Sequence, residues 1–529
     1  MDALARHVSI GTYAVALSIF FLCYFILLPI IVYIKDTKGL RKFPNFSLLS
    51  GISALPFMIL AHRGARSQYL SELHHEKPIL RTGPNALSFG SVRAIKDIYG
   101  HSTLCLKDES YEITRGPHHH LADVVDKNEH ARKRKVLSMA YAIKHLVAWE
   151  HKVADKVQRL IAHIDSCCTM PPAGEEINDP APEDLNVDLR QWVNFFSLDA
   201  IADIGLSERL GLLDRGHDMV QGQLATGKLV DLPLRQCLYP TARKQSLLLW
   251  AYSWYPTLDK ISNVIPFYRR MSESSRGWDA IVLRRVMLRK ARYDSNEEGL
   301  DDFFTALMES KSAVPNNLPF GEVRAEVNIM LNAGSVTTAI AITNVLYQLL
   351  RHRDVLEKLQ AEIDQVMEPN EVVASYEKMR TQPYLKACLD ESLRLWPPTP
   401  HGLPRKTPPG GMHIMGEWIP GNTTVSISAL VAHRDPEAFD QPDKFIPERW
   451  LGEEGKKLQS SFIAFSTGAR GCIGRNISYL EQTVCISSLL HRFDFTLAKG
   501  FELKRLETMN HILGEMPVKV WRRKLGAKA

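Results

Sequence analysis

The apolar and polar positions of this chain fall into three regimes. Residues 13–34 form an apolar run rich in Ala, Leu, Ile, Phe and Val, and no Asp, Glu, Lys or Arg occurs between Arg6 and Lys35. A run of that length predicts a helix able to span a bilayer. Further on, apolar residues recur at helical spacing over 323–367 and 383–395, and the basic stretch 128–139 reads as a helix with one charged face. Short segments bounded by Pro and Gly, at 79–81, 87–89, 412–414 and 424–427, predict strands, and 171–184 and 292–302 read as surface loops. No repeat or low-complexity tract interrupts the pattern. The sum is a mainly α fold with small β-sheets.

Charge and composition narrow the class. The apolar run is followed by Lys35, Lys38, Arg41 and Lys42, against Asp2 and Arg6 before it, so the body is expected on the cytosolic side. A cleaved signal peptide predicts a shorter apolar core and a small-residue cleavage site, and neither is present. With 529 residues, 45% of them apolar, the chain can build a large core. Its formal charge of +6 comes without a long Lys/Arg tract, which points away from nucleic acid. The eight cysteines show no CxxC spacing, so neither a disulfide framework nor a zinc site is expected. Cys167 and Cys168 read as loop thiols, and His118, His119 and His120 as a polar loop rather than a metal cluster.

One segment carries chemistry. In Phe465-Ser-Thr-Gly468-Ala-Arg470-Gly-Cys472-Ile-Gly474, a single cysteine precedes a helical stretch, so N–H groups at the helix mouth face the sulfur and favour thiolate. Gly468 and Gly474 allow backbone to approach a flat group, Phe465 can pack beside the sulfur, and Arg470 can pair with an acid. Five such fixed positions coincide by chance on the order of once in a few million windows. The segment resembles the haem-ligand signature of the cytochrome P-450 superfamily, haem-thiolate monooxygenases, at all five positions. The resemblance implies Cys472 as the axial ligand of haem b iron.

Family signatures spread over roughly residues 80–525 imply the P-450 fold in one large domain, although length alone suggests several. The expected organisation is a short lumenal segment (1–12), a transmembrane helix (13–34), a basic, proline-bearing hinge (35–60) that includes Gly39-Leu-Arg-Lys-Phe-Pro44, and a haem domain (61–529). The resemblance also implies a buried triad of Glu391, Arg394 and Arg449 supporting the cysteine loop. It further implies haem-propionate partners His130 and Arg134, four apart on one helical face, and Arg405, with His401 nearby. Arg132, Lys133 and Lys135 are expected to stay exposed and help dock an acidic reductase surface.

Leu331-Asn-Ala333-Gly334-Ser-Val336-Thr337-Thr338 resembles the centre of the family's distal helix. Ala333 and Gly334 are expected to leave space over the haem, with Thr337 and Thr338 as catalytic hydroxyls and Thr337 turned out of the backbone ladder to relay protons. Val336 departs from the acid usual at its position. Ser335 or a water chain, a substrate hydroxyl, or a reaction less dependent on protons are the three readings of that departure. Asn332, His401 and His511 are candidate polar anchors in a mostly apolar substrate pocket.

The implied activity is a monooxygenase that takes O2, and electrons from NADPH through a flavoprotein reductase, to hydroxylate, epoxidise or otherwise oxidise a lipophilic small molecule. Desaturation, rearrangement or dehydration on the same fold, and a membrane-tethered haem sensor, are the alternatives. Spellings such as HARKRKVLSMAYA and AHRDPEAF resemble filamentous-fungal microsomal members, which implies an endoplasmic-reticulum anchor and a terpenoid, polyketide or alkaloid intermediate of secondary metabolism.

Overall fold

The computed structural model describes residues 12–13, 15–16, 18–20, 22–138, 140–141, 147–172, 180–310 and 314–525. Apart from Thr12, the expected lumenal segment lies outside them, as does the middle of the expected loop 171–184.

Among the described residues two helices are long and apolar enough to cross a membrane, and burial separates them. No described residue of Ser18–Lys35 is buried, whereas most of Phe320–Arg351 is inside the protein. The first contains a π-helical turn, Cys23–Leu27, and ends as α1 (Leu28–Lys35) on a left-handed cap at Asp36, φ 42°. Residues 35–60, the expected hinge, pack onto the body. Lys38 reaches Asn85 and the carbonyls of Gly421 and Asn422, and Phe43, Phe46 and Phe57, the last in α2 (Leu55–Arg63), are buried.

Five strands form the main sheet: β1 (Ile79–Gly83), β2 (Ala86–Phe89), β3 (Leu106–Lys107), β4 (Arg405–Lys406) and β5 (Thr424–Ile427), in the spatial order β1-β2-β5-β4-β3. Only β5 and β2 pair in parallel; the register sets Val425 against both Leu87 and Arg405, and Arg405 against Lys107. Strand and helix expectations held closely here. A further expected strand, Met412–Ile414, forms a hairpin with Glu417–Ile419.

The helical part is built from α3 (Lys127–Ser138), α4 (Glu150–Ser166), α5 (Leu189–Leu206), α6 (Pro266–Asp294), α7 (Phe320–Arg351), α8 (Arg353–Val366), α9 (Pro383–Leu395) and α10 (Arg475–Arg492). From Val336 to Leu349, α7 is buried almost all round, as a helix apolar on every face must be. Gly334 lets it approach α5, because a Cβ there would lie 2.6 Å from Ile201 Cγ1. α9 starts at a proline, and its free N–H groups at Tyr384 and Leu385 are taken by Glu362 of α8 at 2.9 and 2.8 Å. The expected loop 292–302 is shorter than its sequence suggests, since α6 runs on to Asp294 and Asp302 is buried against Arg289.

Candidate active site

Cys472 lies where an irregular loop becomes α10. Its N–H donates to the Phe465 carbonyl at 2.8 Å, and Ser466 and Gly468 adopt φ of 55° and 71° to close the turn. Gly468 is dictated by backbone packing: a Cβ there would lie 2.1 Å from the Tyr99 carbonyl oxygen. Of the two glycines expected to bring backbone near the cofactor, Gly474 lines the cavity and Gly468 does not.

That cavity, about 730 Å³, takes in Phe465, Cys472 and Gly474 from the loop and Ala333, Gly334, Val336, Thr337 and Thr338 from α7. Cys472 is open to it yet enclosed by protein. Burial pushes its thiol up, against the pull of the Gly474 and Arg475 N–H groups and the Arg134 and Arg475 charges. Burial thus opposes the ionisation that the helix mouth favours. A bound iron cation ionises a coordinating thiol outright.

Of the cations that line the same cavity, four lie close enough to repel one another: Lys107, Arg134, Arg405 and Arg470. Among the described residues none of the four forms an ion pair. Arg134 donates to the Gly471 carbonyl at 2.8 Å, Arg470 to those of Val124 and Val125 at 2.7 and 2.9 Å, Arg405 to Tyr111 and the Pro404 carbonyl, and Lys107 to the Ala122 carbonyl. Burial and mutual repulsion hold Lys107 well below the usual lysine range and Arg470 down to about 10. Such a set lacks a dianion, and the two propionates of haem supply one; the donor set fits that group. Lys107 was missed from sequence, since a lone lysine in a two-residue strand carries no signal until the sheet sets it beside Arg405. His130 reaches the cavity, but burial and the surrounding cations push it down to about 3. It is a neutral ring there rather than a charged clamp.

The expected basic docking face is largely occupied. Lys133 is buried and pairs with Glu322 and Glu326 at 2.7 and 3.0 Å, and Arg132 pairs with Glu129 and Glu322. Glu326 also accepts from the Leu121 N–H at 3.1 Å, so these residues tie α3 and the preceding loop to α7. Arg132 and Lys135 remain exposed as expected, and Lys135 forms no ion pair among the described residues.

Glu391, Arg394 and Arg449 are brought together. Both Glu391 oxygens accept from Arg394, at 2.8 and 2.9 Å, and the same carboxylate takes Arg449 Nε, the Trp450 indole N–H and the Ile446 N–H. Arg394 then holds the carbonyls of His433, Pro442 and Lys444. His433, also unforeseen, links this group to the cysteine loop. Its Nε2 accepts from the Ile463 N–H at 2.8 Å, which leaves Nδ1–H to donate to the Arg394 carbonyl at 3.0 Å.

On α7 the hydroxyls are arranged differently from expectation. Thr337 lines the cavity but bonds back to the Ala333 carbonyl at 2.7 Å, a common helical alternative to pointing outward. Ser335, one expected replacement for the missing acid, is fully buried and bonds to the Leu331 carbonyl at 2.7 Å. Thr338 is buried and donates to Ser478 Oγ at 3.2 Å. Asn332, His401 and His511 all reach the cavity, and both His401 ring nitrogens are without a hydrogen-bond partner.

A thiol at a helix mouth, a cationic cradle and a long helix with small residues over one cavity define a haem-thiolate enzyme. The chain belongs to the cytochrome P450 family, whose sequence model matches residues 93–520. It is 30% identical over 447 residues to a cytochrome P450 monooxygenase of Aspergillus terreus, an alignment covering 81% of this chain and 85% of that protein. It is similar, at 29% over 489 residues covering 90% and 89% of the two chains, to the cytochrome P450 monooxygenase BipB of Cochliobolus sativus. The tryprostatin B 6-hydroxylase of Aspergillus fumigatus matches at 26% over 454 residues, covering 85% and 74%. The enzyme is a monooxygenase that uses haem iron, O2 and reductase-supplied electrons from NADPH on a lipophilic substrate.

Proposed function

We propose that this enzyme oxidises a lipophilic intermediate of fungal secondary metabolism, with Cys472 as axial ligand and Lys107, Arg134, Arg405 and Arg470 holding the propionates. The observation that carries the site assignment is the cluster of four cations that form no ion pair among the described residues, beside an enclosed thiol. When bound, haem supplies reductive activation of dioxygen, and thiolate ligation favours O–O cleavage. The protein's part is to hold the group by charge, keep the thiol dry and surround the substrate with an apolar wall. Relatives named for oxidations of this kind, such as the tryprostatin B 6-hydroxylase, support the substrate class.

The exposed apolar helix Ser18–Lys35 and the basic residues after it support an endoplasmic-reticulum anchor with the body in the cytosol. Val336 keeps desaturation or rearrangement as the second reading, because it places no acid at that point of the cavity. Metabolite profiling of a strain lacking the gene tests the proposal. An accumulated precursor one oxygen poorer than the lost product is expected; a precursor of equal oxygen content overturns oxygen insertion in favour of rearrangement.

A further inference from the structure

Two carboxamides on α7 line the cavity, and nothing above gives them work. Asn328 and Asn332 stand four apart, which puts them on one face of the helix about one turn from each other. Neither side-chain NH2 has a hydrogen-bond acceptor among the described residues. Other polar groups on the same cavity are already matched. Lys244 pairs with Asp259 at 2.7 Å and donates to Ser272 Oγ at 2.9 Å, and the four mutually repelling cations suit the haem propionates.

Asn328 is also fixed in orientation. The indole N–H of Trp278, on the facing helix α6, donates to Asn328 Oδ1 at 2.6 Å. An indole nitrogen can only donate, so the amide oxygen must face it and the NH2 must point the other way. Trp278 is itself buried, and its ring lines the cavity beside α7. The pair therefore presents a donor whose direction is set before any ligand arrives, and pre-set direction lowers the ordering cost of binding. A neutral amide carries no charge to match a carboxylate or an ammonium. Its free valence is two N–H bonds, and their complement is a carbonyl oxygen.

We propose that Asn328, oriented by Trp278 and followed one turn on by Asn332, is a specificity-determining subsite for a neutral carbonyl group of the substrate, as in a ketone, ester or lactam. Asn328 stands five residues before Ala333, about 7.5 Å along the helix axis, so a carbonyl held there lies away from the small-residue stretch. Asn328 touches the substrate, and Trp278 is a positioning residue that acts through it. The inference rests on the haem reading above and deepens it by naming a chemical class.

The test uses haem-loaded full-length protein and three probes of one ring size: cyclododecanone, cyclododecane and cyclododecanecarboxylate. Binding is read from the shift of the haem Soret band. The parent's reduced, CO-bound spectrum is recorded first and reports the haem reading separately. The readout is the ratio of the cyclododecane to the cyclododecanone dissociation constant, compared between parent and variant, so that hydration of the free probes and changes in cavity shape cancel. In Asn328→Leu, which keeps the size and removes the donor, this ratio is expected to fall about tenfold, the upper end of what one net hydrogen bond contributes. Trp278→Phe keeps the amide and frees its rotation, so a smaller fall is expected there. An unchanged ratio in loaded N328L protein overturns the proposal, as does a loaded parent whose band cyclododecanone does not move. A loss of the same size for cyclododecanecarboxylate overturns the neutral class. Should N328L fail to load haem, the infrared carbonyl band of cyclododecanone bound to the parent decides. A band below its position in hexane supports the subsite, and an unshifted band overturns it.

Discussion

Lys107 shows how one side chain can weaken the empty protein and serve the loaded one. Its ammonium is buried, repelled by Arg470 and Arg405, and among the described residues bonds one carbonyl and lies over the Tyr111 ring without an ion pair. Lys107→Met is therefore expected to raise the melting temperature of haem-free protein while speeding haem loss to an acceptor globin by about tenfold, a charge-assisted hydrogen bond being worth about 1.5–3 kcal/mol. Equal haem retention in the variant contradicts the cradle. Buried histidines set the acid limit. His74 is pushed down to about 4 and His120, His433 and His511 to about 3, each first by burial. The unfolded chain takes up these protons near pH 6.5 and the folded one does not, so the neutral rings contribute stability that is present above pH 6.5 and is lost as pH falls toward 3–4. Melting temperature should decline from pH 7 to pH 5; a flat profile contradicts their burial. Val336→Asp tests the apolar gap directly: tighter coupling of NADPH consumption to product is expected, and unchanged or worse coupling argues against a missing acid.

At the scale of elements, the link from α9 through His433 to the cysteine loop is the part most sensitive to a single change. Removing Glu391 strands the Arg394 charge in a fully buried position, so Glu391→Ala should cost about 3–5 kcal/mol and abolish haem loading, read from urea unfolding and the haem-to-protein absorbance ratio. Loss of loading with stability unchanged tells against a structural role. Much of this level was legible in sequence. The helix Pro383–Leu395 and the strands Met412–Ile414 and Thr424–Ile427 follow directly from periodicity and their Pro and Gly boundaries. What sequence could not give depends on contacts between distant segments. Lys107 acquires meaning only from its register with Arg405, Lys133 is drawn inside by two glutamates of α7, and Gly468 and Gly334 are also required by close contacts with Tyr99 and Ile201.

At the scale of the molecule, the apolar N-terminal helix is not the only surface suited to lipid. Tyr24 and Phe25 lie against Trp254, and exposed apolar side chains at Ile261, Val264, Ile265 and Phe267 extend the patch. A chain lacking residues 1–35 should still bind vesicles in high salt, because burial of apolar area is not screened by ions. Release by salt contradicts an apolar contact. All the larger claims nonetheless depend on one bond, between Cys472 and haem iron. The reduced, CO-bound absorption spectrum of the purified full-length protein, compared with Cys472→Ser, tests it most directly. The thiolate-type band is predicted for the parent and its loss for the variant; a histidine-type spectrum, no haem, or an unchanged band in the variant contradicts the account.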